Sequence, residues 1–499
     1  MSSEPSDESP YGPELVFAVV APVGTPFTEF YDKLAGDLLA YGYKTQLIKL
    51  SQVLSDNAAA RGTAIERTPE DERIRKLIAE GDRYCEELKQ RSAVALQGVA
   101  EIRAHRVEQH TSSGQDVKDP ENTPLPRTAY VLDSIKRPAE VLHLRQLYGD
   151  HVIVVGLRAD TQARIENLVS RLTPQRSGIG EEDRRQIALD LIELDLTESS
   201  DYGQNVLKAF PLSDGFVDVD HDVAGQVSRL TDLLFGSPVF PTPTAAEYGM
   251  HLAHISSTRS PELGLKVGAA VMRDKDGAVV ALGVNVHPVK SGTAPEYDAS
   301  AVDIRDLLID TLRRLGDDVL QPAARQALDT DAHEYARALL AGVLKNSSVA
   351  GLIEFQLTVH AEMDALLSAI KEGHQVAGCT VYVTAYPCHN CAKHLIALGV
   401  PVRYIEPYPK SRAEAMYGDE VRKSFLPFTG IAPRRYQQLF DISEDRKGED
   451  GSRKAWGTAE KKKARPKVDP FVDDSGITGR EAVAVNVLIM DEPTTTAPA

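Results

Sequence analysis

One imidazole and a pair of thiols set the terms for this chain. His360 stands in "TVHAEMDALL", and the two thiols, Cys388 and Cys391, stand in "AYPCHNCAKHL". Both stretches have the apolar spacing of amphipathic helices, and the run "CTVYVTAYP" between them reads as a buried strand. Cys388 and Cys391 open their helix just after Pro387, at i and i+3, so both sulfurs can face one direction. Backbone N–H groups at a helix start favour thiolates there. A helix, a strand and a helix in that order predict an α/β frame on which the three side chains converge.

One neutral imidazole and two thiolates balance the charge of a zinc dication, Zn2+. Three protein ligands leave the fourth tetrahedral position for water, which is the arrangement of a catalytic rather than a structural site. Zinc lowers the pKa of such a water toward ~7. Glu362, two residues past the imidazole, is then placed to take a proton from that water and pass it to a ring nitrogen and leaving ammonia. H-x-E followed by P-C-x-x-C is the signature of zinc-dependent nucleobase deaminases, and "HAE" with "PCHNC" meets it at every position. Two plainer readings compete. C-x-x-C alone serves as a redox pair, or as half of a structural zinc site completed by Cys379, His389 or His394. Neither needs the H-x-E.

The length of 499 residues exceeds one ordinary core, so two or more domains are expected. A formal net charge of −17 repels a phosphate backbone and argues against a broad nucleic-acid surface. No apolar run reaches membrane-spanning length, and the acidic start "MSSEPSDESPYGPE" is unlike a signal peptide. Cysteine is confined to Cys85, Cys379, Cys388 and Cys391, too few for a secreted disulfide framework. A reducing cytoplasm is the expected compartment, so "NSS" at Asn346 carries no weight as a glycosylation acceptor.

Residues 1–13 are polar and expected to be disordered. "ELVFAVVAPVG", "EFYDKLAGDLLAYGY" and "KTQLIKLS" read as strand, helix and strand, the start of a parallel layer. "TAYVLDSI" and "HVIVVGL" are further strands, and this first domain is expected over 14–235. The second, over 236–440, opens with a helix at "TPTAAEYGMHLAHISSTRS" and a hairpin at "KVGAAVMRDKDGAVVALGVNVHP", whose Asp-Gly pair favours the turn. A helical insertion runs roughly from Asp303 to Val349. Residues 441–499 are charge-rich and expected to form a largely flexible tail, except that "AVAVNVLIM" could dock as an added strand.

From about Thr244 to Phe440 the chain resembles the deoxycytidylate deaminases of the cytidine deaminase superfamily, on "IEFQLTVHAEMDALL", "TVYVTAYPCHNCAKHLIALGV" and the hairpin region. That resemblance implies a zinc enzyme acting on a free deoxycytidine nucleotide. It implies that Asn285, in a G-x-N-x-x-P segment, binds the sugar 3′-hydroxyl, against the plainer reading of a turn Asn capping a strand. It further implies a backbone contact from Ala361 to the base. Lys410 and Ser411 in "EPYPKS", and Arg434 and Arg435 in "APRRY", are candidates for the phosphates. The long insertion departs from the compact family pattern and leaves substrate size open.

"VFAVVAPVGTPFTEF" and "YVLDSIKRPAEVLHLRQLYG" resemble the phosphate loop and later core of P-loop nucleotide kinases. Against G-x-x-x-x-G-K-[ST], Gly24 fills the second glycine, but Val19 replaces the first, Thr25 the Lys and Pro26 the Ser/Thr. The Lys for the phosphates and the hydroxyl for magnesium are both missing, which argues against kinase activity. Backbone N–H groups around Gly24 and Thr25 could still hold a nucleotide, or the domain could serve assembly alone.

The expected fold class is therefore α/β, an N-terminal P-loop nucleotide-kinase-like parallel-sheet domain plus a C-terminal cytidine-deaminase-like α/β/α sandwich. A degenerate kinase-like domain ahead of a deaminase resembles the bacterial anti-phage dCTP deaminases. This implies deamination of dCTP, with dCMP also consumed, in antiviral defence. A regulatory nucleotide or a phage-derived trigger would act at the N-terminal domain, and a homo-oligomer is the default. The alternatives are a housekeeping dCMP deaminase, a deaminase of tRNA or single-stranded DNA, and a non-catalytic nucleotide sensor.

Overall fold

The structure, a computed structural model, describes residues 12–66, 69–114, 116–174, 176, 178–196, 201–236, 241–287, 299–315, 319–345, 347, 349, 352, 358–405, 412–441, 447–452, 461–468 and 474–488. The chain divides into two compact units, one of Met1–Tyr248, Glu406–Tyr408 and Pro427–Ala499, and the other of Gly249–Ile405 with Pro409–Leu426. The expected boundary after residue 235 thus falls at Tyr248.

Up to the division the elements are β1 (Leu15–Val20), α1 (Thr28–Ala40), β2 (Lys44–Lys49), α2 (Leu50–Ala60), α3 (Glu70–Glu87), α4 (Ala93–Ser112), β3 (Thr128–Ile135), α5 (Pro138–Tyr148), β4 (Val152–Arg158), α6 (Thr161–Leu172), α7 (Glu181–Leu196), α8 (Val206–Ala209), β5 (Gly215–Asp218) and α9 (Val223–Phe235). Helix α10 (Ala245–Ser257) spans the division. The second unit continues with β6 (Gly268–Arg273), β7 (Val279–Val284), α11 (Ala299–Arg314), α12 (Pro322–Ala341), α13 (Ala361–Lys371), β8 (Cys379–Val383), α14 (His389–Leu398), β9 (Val402–Tyr404), α15 (Ala413–Tyr417), α16 (Asp419–Ser424) and β10 (Phe425–Pro427). Back in the first unit come β11 (Gly430–Ile431), α17 (Pro433–Phe440) and α18 (Asp474–Val485).

The first sheet has the order β11-β5-β4-β1-β3-β2. Its strands from β5 to β2 are parallel, and β11 alone runs antiparallel. The central strand, "LVFAVV", is buried throughout, as a strand covered by helices on both faces must be. Phe17, Val19, Val131 and Val155 pack with Leu34 and Leu38 of α1 and Val227 and Leu234 of α9.

Two expectations about the C-terminal residues need correction. The edge strand is supplied by Gly430 and Ile431, not by "AVAVNVLIM", whose described residues finish α18 and a following turn of 3₁₀ helix. The tail expected over 441–499 is also packed where it is described. Ala464 and Val468 join the first unit's core, and Glu481 on α18 is fully buried. The driving force is long-range: Arg106 on α4 donates to the carboxylates of both Glu14 and Glu481, three charged groups sealed together. The disorder expected over 1–13 falls, up to residue 11, outside the described residues.

The second sheet has the order β10-β9-β8-β6-β7. The hairpin β6/β7 is antiparallel as the Asp-Gly pair predicts, with Gly277 at φ +69° in its turn. Ala269, Val271, Val381 and Val383 face α13 and α14, burying their apolar stripes. On the opposite face α10 lies so close that a Cβ on Gly249 would meet Tyr382 and Met272. The helices thus cover both faces of the sheet. The predicted insertion is a helical pair, α11 and α12, with a small core of Leu308, Ile309, Leu328, Ala332 and Ala336.

Candidate metal centre

His360 and Cys388 are the residues immediately before α13 and α14, in extended conformation as helix N-caps. The two helices follow opposite ends of one chain segment, yet their heads meet. Nδ1 of His360 lies 3.3 Å from Sγ of Cys388 and 3.4 Å from Sγ of Cys391. The three ligand atoms all lie within 4.8 Å of one another, and among the described residues no further His, Cys, Asp or Glu joins that group. Cys379, His389 and His394 are outside it. The structural-site alternative therefore lacks its fourth protein ligand among the described residues.

The donor set fits a dication on chemical grounds. The Cys388 thiol is pulled well below its usual range, chiefly by the hydrogen bond from Cys391, with His360 adding to it. The N–H of Cys391, at the head of α14, also points at that sulfur at 3.5 Å. Cys391 moves the opposite way, up, because it is bonded to the sulfur that carries the charge. Two thiols here share one negative charge. A bound dication removes that competition and holds both as thiolates.

Glu362, on the first turn of α13, is buried and hydrogen-bonded to Cys391. Burial pushes its carboxyl up to about 7, against the opposing pull of His360. A carboxyl in that range both accepts and returns a proton near neutrality. His360 is itself raised, first by its hydrogen bond with Cys388, with the charges of Glu362 and Glu262 adding to the effect. Glu262, which accepts a hydrogen bond from Thr358 at 2.8 Å, carries no sequence signal for that place.

Residues 243–405 match the family model for the cytidine and deoxycytidylate deaminase zinc-binding region. The chain carries a cytidine/deoxycytidylate deaminase domain. The deoxycytidylate deaminase of Enterobacteria phage T4 is 26% identical over 164 residues, 33% of this chain and 78% of that protein. Human deoxycytidylate deaminase is 25% identical over 156 residues, 31% of this chain and 60% of that protein. ComE operon protein 2 of Bacillus subtilis is 46% identical over 52 residues, 10% of this chain and 28% of that protein. The cofactor of the deaminase domain is zinc, and His360, Cys388 and Cys391 are the residues that fit it.

Asn285 sits beside the centre through its neighbour. Val286 and Val359 exchange backbone hydrogen bonds of 3.0 and 2.9 Å, and Val359 precedes His360. The Asn285 amide accepts from the N–H of Val267 at 2.7 Å and donates to the carbonyl of Leu265 at 2.8 Å. These two bonds leave one N–H and one lone pair of its inventory over. Ala361, the first residue of α13, is fully buried in the deaminase domain. Lys410 and Ser411 lie outside the described residues.

Arg434 and Arg435 belong to the other unit. Arg435 is buried and donates to the carbonyls of Asp150 and Val152, which commits it to holding α17 against the parallel sheet. In that unit Gly24 takes φ +83°. The loop around it is closed from within: the N–H of Val23 donates to Asp195 at 2.7 Å, and that of Thr25 to Pro22 at 3.1 Å. Lys136 joins Asp195 at 2.8 Å and the Ala21 carbonyl at 2.7 Å. No helix among the described residues is long and apolar enough to cross a membrane.

Proposed function

We propose that the deaminase domain hydrolyses the exocyclic amino group of free deoxycytidine nucleotides, dCTP together with dCMP, giving deoxyuridine nucleotides and ammonia, and so depletes dCTP in defence against phage. The observation that carries the reading is the buried Glu362 beside a three-donor His/Cys/Cys group. Bound zinc supplies the Lewis acidity that makes water nucleophilic at neutral pH, with a water pKa near ~7. Glu362 takes a proton as water adds to C4 and delivers it to the ring nitrogen. It then takes the proton of the new C4 hydroxyl and delivers it to the amino group, which leaves as ammonia as the C4 carbonyl forms. The Ala361 N–H, at a helix head where first-turn donors have no helical partner, faces a base carbonyl. The spare donor and acceptor of Asn285 read the sugar hydroxyl.

A net charge of −17 supports a small free substrate over a polynucleotide. The antiviral role is supported by the resemblance of the N-terminal residues to a degenerate kinase-like domain placed ahead of a deaminase. A second reading, dCMP alone in thymidylate supply, is favoured by the phage T4 and human relatives, both named deoxycytidylate deaminases.

Purified protein is offered dCMP, dCDP, dCTP and a single-stranded oligonucleotide, and uracil products are quantified. Turnover of dCTP is the expected result. Turnover of dCMP alone selects the second reading, and turnover of the oligonucleotide alone overturns both. In infected cells dCTP should fall with the wild type and hold steady with Cys388→Ala.

A further inference from the structure

Strand β7 is an edge of the second sheet, so among the described residues the N–H groups on its outer side have no strand to pair with. Alternation along the strand turns the N–H of Asn285 inward, to the carbonyl of Val267 at 3.2 Å. Its neighbours on either side turn outward. The N–H of Val286 donates to Val359, and that of Val284 donates to the Oδ2 of Asp364 at 3.0 Å. Asp364 lies on the first turns of α13, two residues beyond Glu362, and its own N–H donates to the His360 carbonyl at 2.9 Å. The stretch from Val359 to Asp364 is therefore strapped to the end of β7 on both sides of Asn285. The Asp364 carboxylate is the one side chain among these ties.

We infer that Asp364 is a positioning residue for the deamination, setting the spacing between the sugar-reading amide of Asn285 on β7 and the proton-moving carboxylate of Glu362 on α13. The inference rests on the function proposed above, which places one nucleotide across both elements. Groups that must address one substrate from two elements tolerate little relative motion. The residue is neither a zinc ligand nor a proton carrier. Its effect falls on how the nucleotide is seated.

The test uses the full chain with zinc bound and compares Asp364→Ala with Asp364→Asn. KM and kcat are measured for dCMP and dCTP, together with zinc per chain and hydrogen exchange at the Val284 amide. In Asp364→Ala, KM should rise about tenfold, the worth of one charge-assisted hydrogen bond, with kcat changed far less and zinc retained. The Val284 amide should lose protection. In Asp364→Asn the amide oxygen accepts the same N–H, so KM and Val284 protection should return close to wild type. Wild-type KM in Asp364→Ala overturns the inference, as does an Asp364→Asn that fails like Asp364→Ala. Should Asp364→Ala not fold, Asp364→Asn decides alone, by the same comparison. A wild-type chain that turns over no cytosine nucleotide overturns the functional reading itself, and the inference with it.

Discussion

A Cβ built on Gly283 would lie 2.4 Å from the carbonyl oxygen of Ala361 and 2.3 Å from the backbone nitrogen of Ala365. Helix α13 therefore rests backbone against backbone on β7, and nothing flexible stands between them to yield. Gly283→Ala must displace the helix that carries Glu362 and begins at His360. The expected cost is about 1–3 kcal/mol of overpacking, read as a lowered Tm, together with at least a tenfold loss of turnover. Calorimetry and steady-state kinetics on one preparation check both.

Glu362→Gln keeps the shape of the side chain and removes its ability to accept a proton. Zinc content should remain at the wild-type level, while kcat falls by about 10²–10⁴-fold. Metal analysis beside kinetics makes the comparison. Turnover near wild type in a zinc-loaded variant would remove Glu362 from the mechanism.

Stripping zinc with a chelator should abolish deamination, and adding zinc back should restore it. Cys388→Ser should resist that restoration, because an alkoxide is far harder to form beside His360 than a thiolate already drawn down by its neighbours. Atomic absorption on dialysed protein distinguishes lost metal from lost fold, with circular dichroism as the control.

Arg106 donates to Glu14 at 2.6 Å and to Glu481 at 2.5 Å, with both Arg106 and Glu481 fully buried. Arg106→Met leaves two buried carboxyls without their cation, at a cost of about 3–5 kcal/mol. Burial already raises the Glu14 carboxyl, against the opposing pull of Arg106. Without that pull it rises further, so the folded state favours the protonated form. A carboxyl raised on folding contributes stability at low pH and loses it as pH climbs through its folded value. The Tm deficit of Arg106→Met should therefore be smaller at pH 5 than at pH 8. Thermal scans at both values, with limited proteolysis reporting release of α18, check the sign.

What the sequence by itself determined is what local pattern can carry. The spacing of "HAE" and "PCHNC", the apolar period of α13 and α14, the unbroken run of β1 and the Asp-Gly hairpin each express a rule that acts within a few residues. Those rules placed His360, Glu362, Cys388 and Cys391 at the heads of their helices. Tertiary structure alone decided that Ile431 pairs with β5, that α18 closes over Arg106, that Asp195 fills the loop at Val23 and that Asp364 ties α13 to the sheet edge. Each of these joins residues far apart in the chain, and a buried carboxylate that finds its cation or N–H only on folding looks, in sequence, like any solvated acid.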